Sequence, residues 1–179
     1  MGSVWRDARS IADLGQHMAA WLEGRLPSWP GYDGPFGQEE DNGARHLIPT
    51  LAAVNRAGFV TTCSQPATDD DRGSRQRAWV EGIIHDRSPI LGQLLGLERQ
   101  GFIVIRGSRT PYLVLTEEDG EPFTTLGYRV DRNWKAREWH GVGRHALREL
   151  SQHGTTLHVI DMAWGRDDRL WPALANAIR

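Results

Sequence analysis

Apolar residues recur at two spacings along the chain, and these predict helices and strands. Ser10 begins the first helical stretch, and Asp13 three residues later completes a capping-box arrangement. The apolar residues that follow lie three or four positions apart, as on one face of a helix: Ile11, Leu14, Met18, Trp21 and Leu22. Similar spacing predicts helices over about 44–57 with Asp41 or Asn42 as cap, from Ser88-Pro89 to Gly101, over about 132–151, and after Asp167 or Asp168.

Short β-branched runs between these helices predict the strands. They cover Phe59–Cys63, about 77–85, FIVIRG and TTLHVID, and a hairpin in YLVLTEEDGEPFTTLGYRV with Asp119-Gly120 at its turn. Helices mixed with strands and one hairpin are typical of helices packed on a mixed sheet. The pattern predicts a single α/β domain over residues 1–179 with five to six strands, and an α+β arrangement is the alternative.

Two helices lead into their strands through very short links, one at Gly58 and one at Gly154. A short link makes each helix antiparallel to its strand, so the start of the helix lies near the end of the strand. If the two strands are parallel, four segments meet at one rim of the sheet: the aromatic loop 25–43, Cys63–Pro66, Arg132–Trp134 and Asp161–Asp168.

The residues of these four segments predict a pocket for a small ligand, because a few polar groups among aromatic surfaces are typical of such sites. Polar groups would form its base and aromatic rings its sides. Arginine would neutralise an anionic group of the ligand. These residues are Ser64, Gln65 and Asp161 at the base, Trp29, Tyr32, Trp134 and Trp164 at the sides, and Arg132 or Arg166 as the cation.

Each candidate also has a structural interpretation. Asp161 is predicted to act as a general acid or base, or else to cap the turn before the last helix. Cys63 is a nucleophile if a histidine lies nearby, and otherwise a buried, unreactive thiol. An extended strand places Cys63 on the same side as Phe59 and Thr61. Ser64 and Gln65 could bind the ligand or cap the end of the strand.

Composition excludes several classes of protein. The net charge of −2 and the pI near 6.4 provide no broad basic field, so nucleic-acid binding is not expected. Cys63 is the single cysteine, which precludes an intrachain disulfide, and no apolar run reaches the ~20 residues of a membrane span. We therefore expect a cytoplasmic protein. No paired-cysteine or His-Glu-x-x-His pattern occurs, so no metal site is predicted.

Three separated blocks, WLEGRLPSWPGY, NRAGFVTTCSQP and DMAWGRDDRLWPAL, carry a resemblance. The chain resembles a family of small proteins from Streptomyces and related actinobacteria known only as a domain of unknown function. The resemblance spans most of the chain. It implies an intracellular bacterial protein and assigns no activity.

The sequence favours a small-molecule enzyme, a hydrolase or transferase without a tightly held cofactor. In this hypothesis Asp161 is the acid or base, and Ser64 and Gln65 hold the substrate. The alternative is a protein-binding or regulatory module that grips a protein partner, or a second copy of the chain, with the aromatic loop 25–43. An enclosed pocket beneath that loop would favour the enzyme, and an exposed patch at Trp29 and Tyr32 would favour the partner.

Overall fold

The computed structural model describes residues 3–36, 43–70, 73–107, 109–127 and 137–179. The predicted capping box at the start of the second helix is confirmed, because the Ser10 hydroxyl accepts the Asp13 N–H and the Asp13 carboxylate accepts the Ser10 N–H. A 3₁₀ turn at Arg45–Leu47 leads into the third α-helix, and another at Gly96–Gln100 follows the fourth. The described ranges hold six α-helices: α1 (Ser3–Asp7), α2 (Ile11–Leu22), α3 (Ile48–Arg56), α4 (Leu91–Leu95), α5 (Arg144–His153) and α6 (Leu170–Ala177).

Seven strands form one sheet, and the ladders among the described residues are antiparallel. The predicted α/β fold with helices packed on a sheet is confirmed. The described ladders are antiparallel rather than mixed, and a two-residue strand in the acidic loop brings the strands to seven instead of the five to six predicted. The strands are β1 (Phe59–Gln65), β2 (Thr68–Asp69), β3 (Arg75–His85), β4 (Ile103–Arg106), β5 (Leu113–Glu118), β6 (Glu121–Leu126) and β7 (Gly154–Trp164).

Strand β3 lies at the centre and pairs with four others. Its second half lies between β1 and β7, and its first residues pair with β2 and β5. Because β1 and β7 are both antiparallel to β3, they run in the same direction and end at the same rim. Gln65 lies opposite Trp79 there, and Trp164 lies opposite Arg77. The common direction on which the predicted rim depended is therefore present, with β3 between the two strands.

Helices cover both faces of the sheet. Asn55 of α3 exchanges hydrogen bonds with Thr61, which lies opposite Gly82, so α3 covers the face of Gly82. His85 alternates to the other face, where its Nε2 lies 3.5 Å from a carboxylate oxygen of Glu149 in α5. We call this second face the α5 face.

The β5–β6 hairpin covers the rim end of the α5 face. Leu115 and Leu126 of the hairpin pack with Trp79 of β3 and Ile160 of β7 in one buried cluster. The predicted turn of the hairpin is confirmed, because Asp119 and Gly120 have φ of 51° and 82°, as a primed turn requires. Helix α5 packs at the other end of this face, near His85.

Two helix starts differ from the predictions. Helix α6 begins at Leu170 without a side-chain cap, because the Asp167 carboxylate accepts the backbone N–H of Ala67 and the indole N–H of Trp171 instead. Helix α4 begins at Leu91 rather than at Ser88-Pro89. The predicted helix 132–151 is interrupted by a turn at residues 139–142, and its second part is α5, from Arg144 to His153. The predicted caps Asp41 and Asn42 lie outside the described residues. Among the described helices, none has the length and apolar character needed to cross a membrane.

Candidate functional site

Asp161 lies on β7 and is completely buried. The Arg166 guanidinium holds it with two hydrogen bonds of 3.0 and 2.6 Å, and the Ala163 N–H donates a third at 3.0 Å. Burial by itself would raise the pKa of Asp161, but these bonds and the positive charges of Arg166 and Arg169 hold it below its ordinary value. The arrangement joins the end of β7 to the turn before α6. This geometry favours the structural interpretation of Asp161.

Two aromatic residues of the predicted rim, Trp29 and Tyr32, pack against Trp21 of α2. Trp29 is 7% exposed and packs between Trp21 and Trp139, with ring centroids 6.1 and 5.3 Å away. Tyr32 is 43% exposed and meets the edge of Trp21. Trp29 is therefore part of the core, whereas Tyr32 packs against it from the surface.

At the rim itself, two guanidinium groups pack over the ring of Trp164. That of Arg77 lies 3.9 Å from the ring centroid and that of Arg75 lies 4.8 Å from it. Its ring is thus occupied by arginines of β3 rather than offered to a ligand. Ser64 is half-buried and Gln65 exposed at the end of β1. Arg132 and Trp134 lie outside the described residues.

A different group of polar side chains comes together at the centre of the sheet. Cys63 of β1 lies directly opposite Glu81 of β3, and Glu81 lies opposite His158 of β7. The three side chains form one row on the α5 face, between the hairpin and the His85 end of β3. His158 Nδ1 lies 3.6 Å from Glu81 Oε2. We call these three residues the central row.

The position of Cys63 corrects the prediction that it shares a side with Phe59 and Thr61. The register of β1 shifts between Thr61 and Cys63, where the strand contains a β-bulge. The extra residue reverses the alternation, so Thr61 faces α3 whereas Cys63 packs with the cluster beneath the hairpin. The bulge is what brings the thiol into line with Glu81.

Burial sets the charge of the central row. It raises the pKa of Glu81 from the ordinary 4.5 to about 7, with a further contribution from the negative charge of Glu138. It lowers the pKa of His158 from 6.5 to about 4. Both shifts favour the uncharged forms, a carboxylic acid beside a neutral imidazole. The 3.6 Å contact is therefore better described as a neutral pair than as an ion pair.

Two further properties distinguish this row from ordinary core. Both ring nitrogens of His158 are buried and have no hydrogen-bond partner in the described part of the chain. Glu81 retains 17% exposure of its side chain, and Cys63 and Glu138 are half-buried, so the row meets solvent along one side. A buried polar group without a partner is costly unless a ligand or water satisfies it.

Cys63 itself is a free thiol with an unfavourable environment for ionisation. Burial, with the negative charges of Glu81 and Glu138, raises its pKa to about 12. Burial also raises the pKa of Glu138, although the nearby charge of Arg137 opposes this shift. The charge of Glu138 is also one cause of the raised pKa of Glu81. The site thus combines two glutamates that resist ionisation with a neutral thiol.

A family model described as a domain of unknown function, DUF6919, matches residues 1–179. The chain belongs to that family. The DUF6919 match covers the whole chain and confirms the resemblance at the level of an uncharacterised family. No curated protein matches this DUF6919 chain.

Sequence reasoning missed Glu81 and His158 as site residues, although a signal was present. Each is a single ionisable residue within an otherwise apolar strand of the DUF6919 domain, in WVEGII and TLHVI. Burial of such a residue requires a partner or a function. The described group that could together hold a metal ion lies elsewhere, at His85, Asp86 and His153 at the opposite end of β3.

Proposed function

We propose that this protein is a small-molecule hydrolase or transferase in which Glu81 is the acid. The observation that supports it most is a carboxyl group with a pKa near 7 beside a neutral histidine whose nitrogens have no described partner. A catalytic acid works best when its pKa lies near the working pH. Asp161 lacks this property, because Arg166 stabilises its charged form.

We assign the two glutamates the two different roles that an acid and a base require. Protonated Glu81 gives its proton to the leaving atom as the bond to it breaks, and ionised Glu138 takes a proton from the attacking water. The proton then returns from Glu138 to Glu81, which completes the cycle. An acceptor hydroxyl in place of water makes the same step a transfer. His158 orients the Glu81 carboxyl, and the Cys63 thiol is a neutral donor to the substrate.

The charge of the site indicates the substrate class. Carboxyl groups dominate it, and Arg166, the expected partner for an anion, is engaged with Asp161. We therefore propose a neutral or cationic substrate rather than a phosphorylated one. A protein partner at the aromatic loop is less favoured, because Trp29 is buried. An actinobacterial source and a cytoplasmic location remain part of the proposal.

The test is a hydrolysis screen of the full chain against p-nitrophenyl glycosides, esters and phosphates between pH 5 and 8. We expect turnover of a neutral substrate and a loss of at least ~100-fold in Glu81→Gln, the usual contribution of one acid or base. Glu121→Gln, which removes an exposed glutamate of β6, is the matched control and should keep full activity.

Asp161→Asn separates the two candidate acids. Under the proposal it retains turnover as long as the protein is folded, which circular dichroism checks in the same samples. Equal rates for wild type and Glu81→Gln on every substrate would refute the role of Glu81. Loss of turnover in a fully folded Asp161→Asn would return that role to Asp161.

A further inference from the structure

We propose that His85, Asp86 and His153 form a binding site for a divalent transition-metal ion of the zinc class. The three residues lie at the end of the sheet opposite the rim, where β3 ends and α5 passes into β7. One ligand atom from each lies within 4.8 Å of the other two. The backbone brings them together, because the Asp86 N–H donates to the His153 carbonyl at 2.8 Å.

The hydrogen bonds of His85 determine which of its nitrogens carries the proton. The N–H of Arg87 donates to Nδ1 at 3.0 Å, so Nδ1 is the unprotonated nitrogen. Its Nε2 faces a Glu149 carboxylate oxygen 3.5 Å away. The Nδ1 atom nevertheless lies 3.2 Å from Asp86 Oδ1. Two acceptor atoms this close repel each other unless a cation lies between them.

The Asp86 oxygen that faces His85 accepts no hydrogen bond from the described residues. This Oδ1 atom is buried, and Asp86 Oδ2 lies 3.6 Å from His153 Nδ1. A buried carboxylate oxygen without a donor is a costly arrangement. A metal ion bound to Oδ1 and to His85 Nδ1 would satisfy this oxygen and remove the repulsion between the two atoms.

The donor set and the distances fit a tetrahedral ion. Bonds of about 2.0–2.1 Å to nitrogen and oxygen place neighbouring ligand atoms about 3.3–3.4 Å apart in a tetrahedron. The 3.2 Å between His85 Nδ1 and Asp86 Oδ1 is close to that value, and His153 Nδ1 lies 3.6 Å from the other oxygen of the same carboxylate. Two imidazoles and one carboxylate suit zinc and related ions rather than calcium or magnesium. Water would complete the coordination, because these side chains are 27–41% exposed.

Glu149 supplies the support that metal-bound histidines usually have. Its Oε1 faces Nε2 of His85, and its Oε2 accepts the N–H of Ile11 at the start of α2. A carboxylate behind a ligating histidine fixes the ring and makes it a better donor. Glu149 is fixed in turn by the backbone of α2.

Metal binding requires two local adjustments. The rings of His85 and His153 are stacked 5.2 Å apart at 18°, so the more exposed His153 ring has to turn for both lone pairs to meet one ion. The N–H of Arg87, in an exposed turn, gives up its contact with Nδ1 and turns to water. The bound ion would then cross-link the end of β3 to the end of α5. The proposal is independent of the central row, which lies about 13 Å away along β3.

The test is isothermal titration of the full, tag-free chain with zinc chloride after dialysis against EDTA. We expect one zinc ion per chain, and the visible bands of tetrahedral cobalt when Co²⁺ replaces zinc. Asp86→Asn and His153→Gln should each weaken zinc binding by at least 100-fold. Glu149→Gln, which keeps an acceptor oxygen for Ile11, should weaken it by about tenfold. His145→Gln, at an exposed histidine of the same helix, is the matched control and should bind as wild type does.

Two results would overturn the proposal. One is the absence of zinc binding by the wild-type chain, which would mean that a proton rather than a metal relieves the repulsion between His85 and Asp86. The other is zinc binding that survives both Asp86→Asn and His153→Gln, which would place the ion elsewhere. Circular dichroism of each variant at neutral pH shows whether it is folded, and a cobalt spectrum lost in one folded ligand variant is sufficient support.

Discussion

Replacing Glu81 with glutamine removes the titratable carboxyl of the central row and keeps its shape. In the folded protein the pKa of Glu81 is about 7, whereas an ordinary glutamate has 4.5. At a pH between these two values, Glu81 is therefore protonated in the folded state and ionised in the unfolded state. Its contribution to stability is fully present below pH 4.5 and is lost as the pH rises through 7.

The magnitude follows from the size of this shift. Each pKa unit corresponds to 1.36 kcal/mol, so a shift from 4.5 to about 7 costs the wild-type protein about 3 kcal/mol by pH 8.5. The side chain is 17% exposed, so solvent screening reduces this figure only modestly. Glutamine cannot ionise and avoids the cost. Relative to wild type, Glu81→Gln should gain about 3 kcal/mol of unfolding free energy between pH 4.5 and pH 8.5.

His158 titrates in the opposite sense and must be separated from this effect. Its lowered pKa, about 4 against an ordinary 6.5, gives stability that is present above pH 6.5 and lost as the pH falls through 4. Between pH 4.5 and 6.5 the two slopes cancel in the wild type. In Glu81→Gln the slope of His158 remains alone, so stability should rise with pH across that range.

Urea unfolding followed by tryptophan fluorescence at pH 4.5, 6.5 and 8.5 measures both effects. The exposed Glu121→Gln serves as control and should show no gain that depends on pH. A change below about 1 kcal/mol between pH 4.5 and 8.5 would refute the neutral pair. A loss of stability in Glu81→Gln at pH 8.5 would show instead that Glu81 is ionised and paired with protonated His158.

Two further predictions test the surroundings of the site. The pKa of Cys63 is raised from 9.0 to about 12, so its thiolate fraction falls by about 1,000-fold. At pH 8 the thiol of the native chain should therefore react with Ellman's reagent about 1,000-fold more slowly than the thiol of the urea-unfolded chain. Equal rates would show that the native thiol is ionised. Gly15→Ala should destabilise by about 1–3 kcal/mol in thermal unfolding, because the new Cβ would lie 2.2 Å from the Asn55 carbonyl oxygen. Gly92→Ala, which meets nothing within 4 Å, should instead stabilise by about 0.5–1 kcal/mol, and a gain in both would refute the close contact of α2 with α3.

The elements of the fold follow closely from local sequence. The β-branched run from Phe59 produces β1, and Asp119-Gly120 determines the hairpin turn. These features depend on residues a few positions apart, so the pattern is sufficient to predict them. The common direction of β1 and β7 was only a condition of the predicted rim, and it follows from the antiparallel pairing of both strands with β3.

The site could not be predicted in the same way, because it depends on register between distant strands. Glu81 and His158 become neighbours only through the pairing of β3 with β7, and the bulge before Cys63 moves that thiol to the other face. The sequence suggested that Asp161 could act as a catalytic acid or base, because no local sequence pattern shows that Arg166 donates two hydrogen bonds to it. Polar residues at strand ends are visible in a sequence, but their partners are tertiary.

The place of β7 in the sheet also has a consequence for synthesis of the chain. β7 is the last of the seven described strands to leave the ribosome, yet it lies between β3 and β4 and is the described ladder partner of β4. Until it emerges, the nascent chain has one bare flank on β3 and an unpaired β4, both able to pair with other chains. Closing such distant contacts is slow. The interval before β7 docks is therefore when the newly made protein is most exposed to aggregation and most dependent on chaperones.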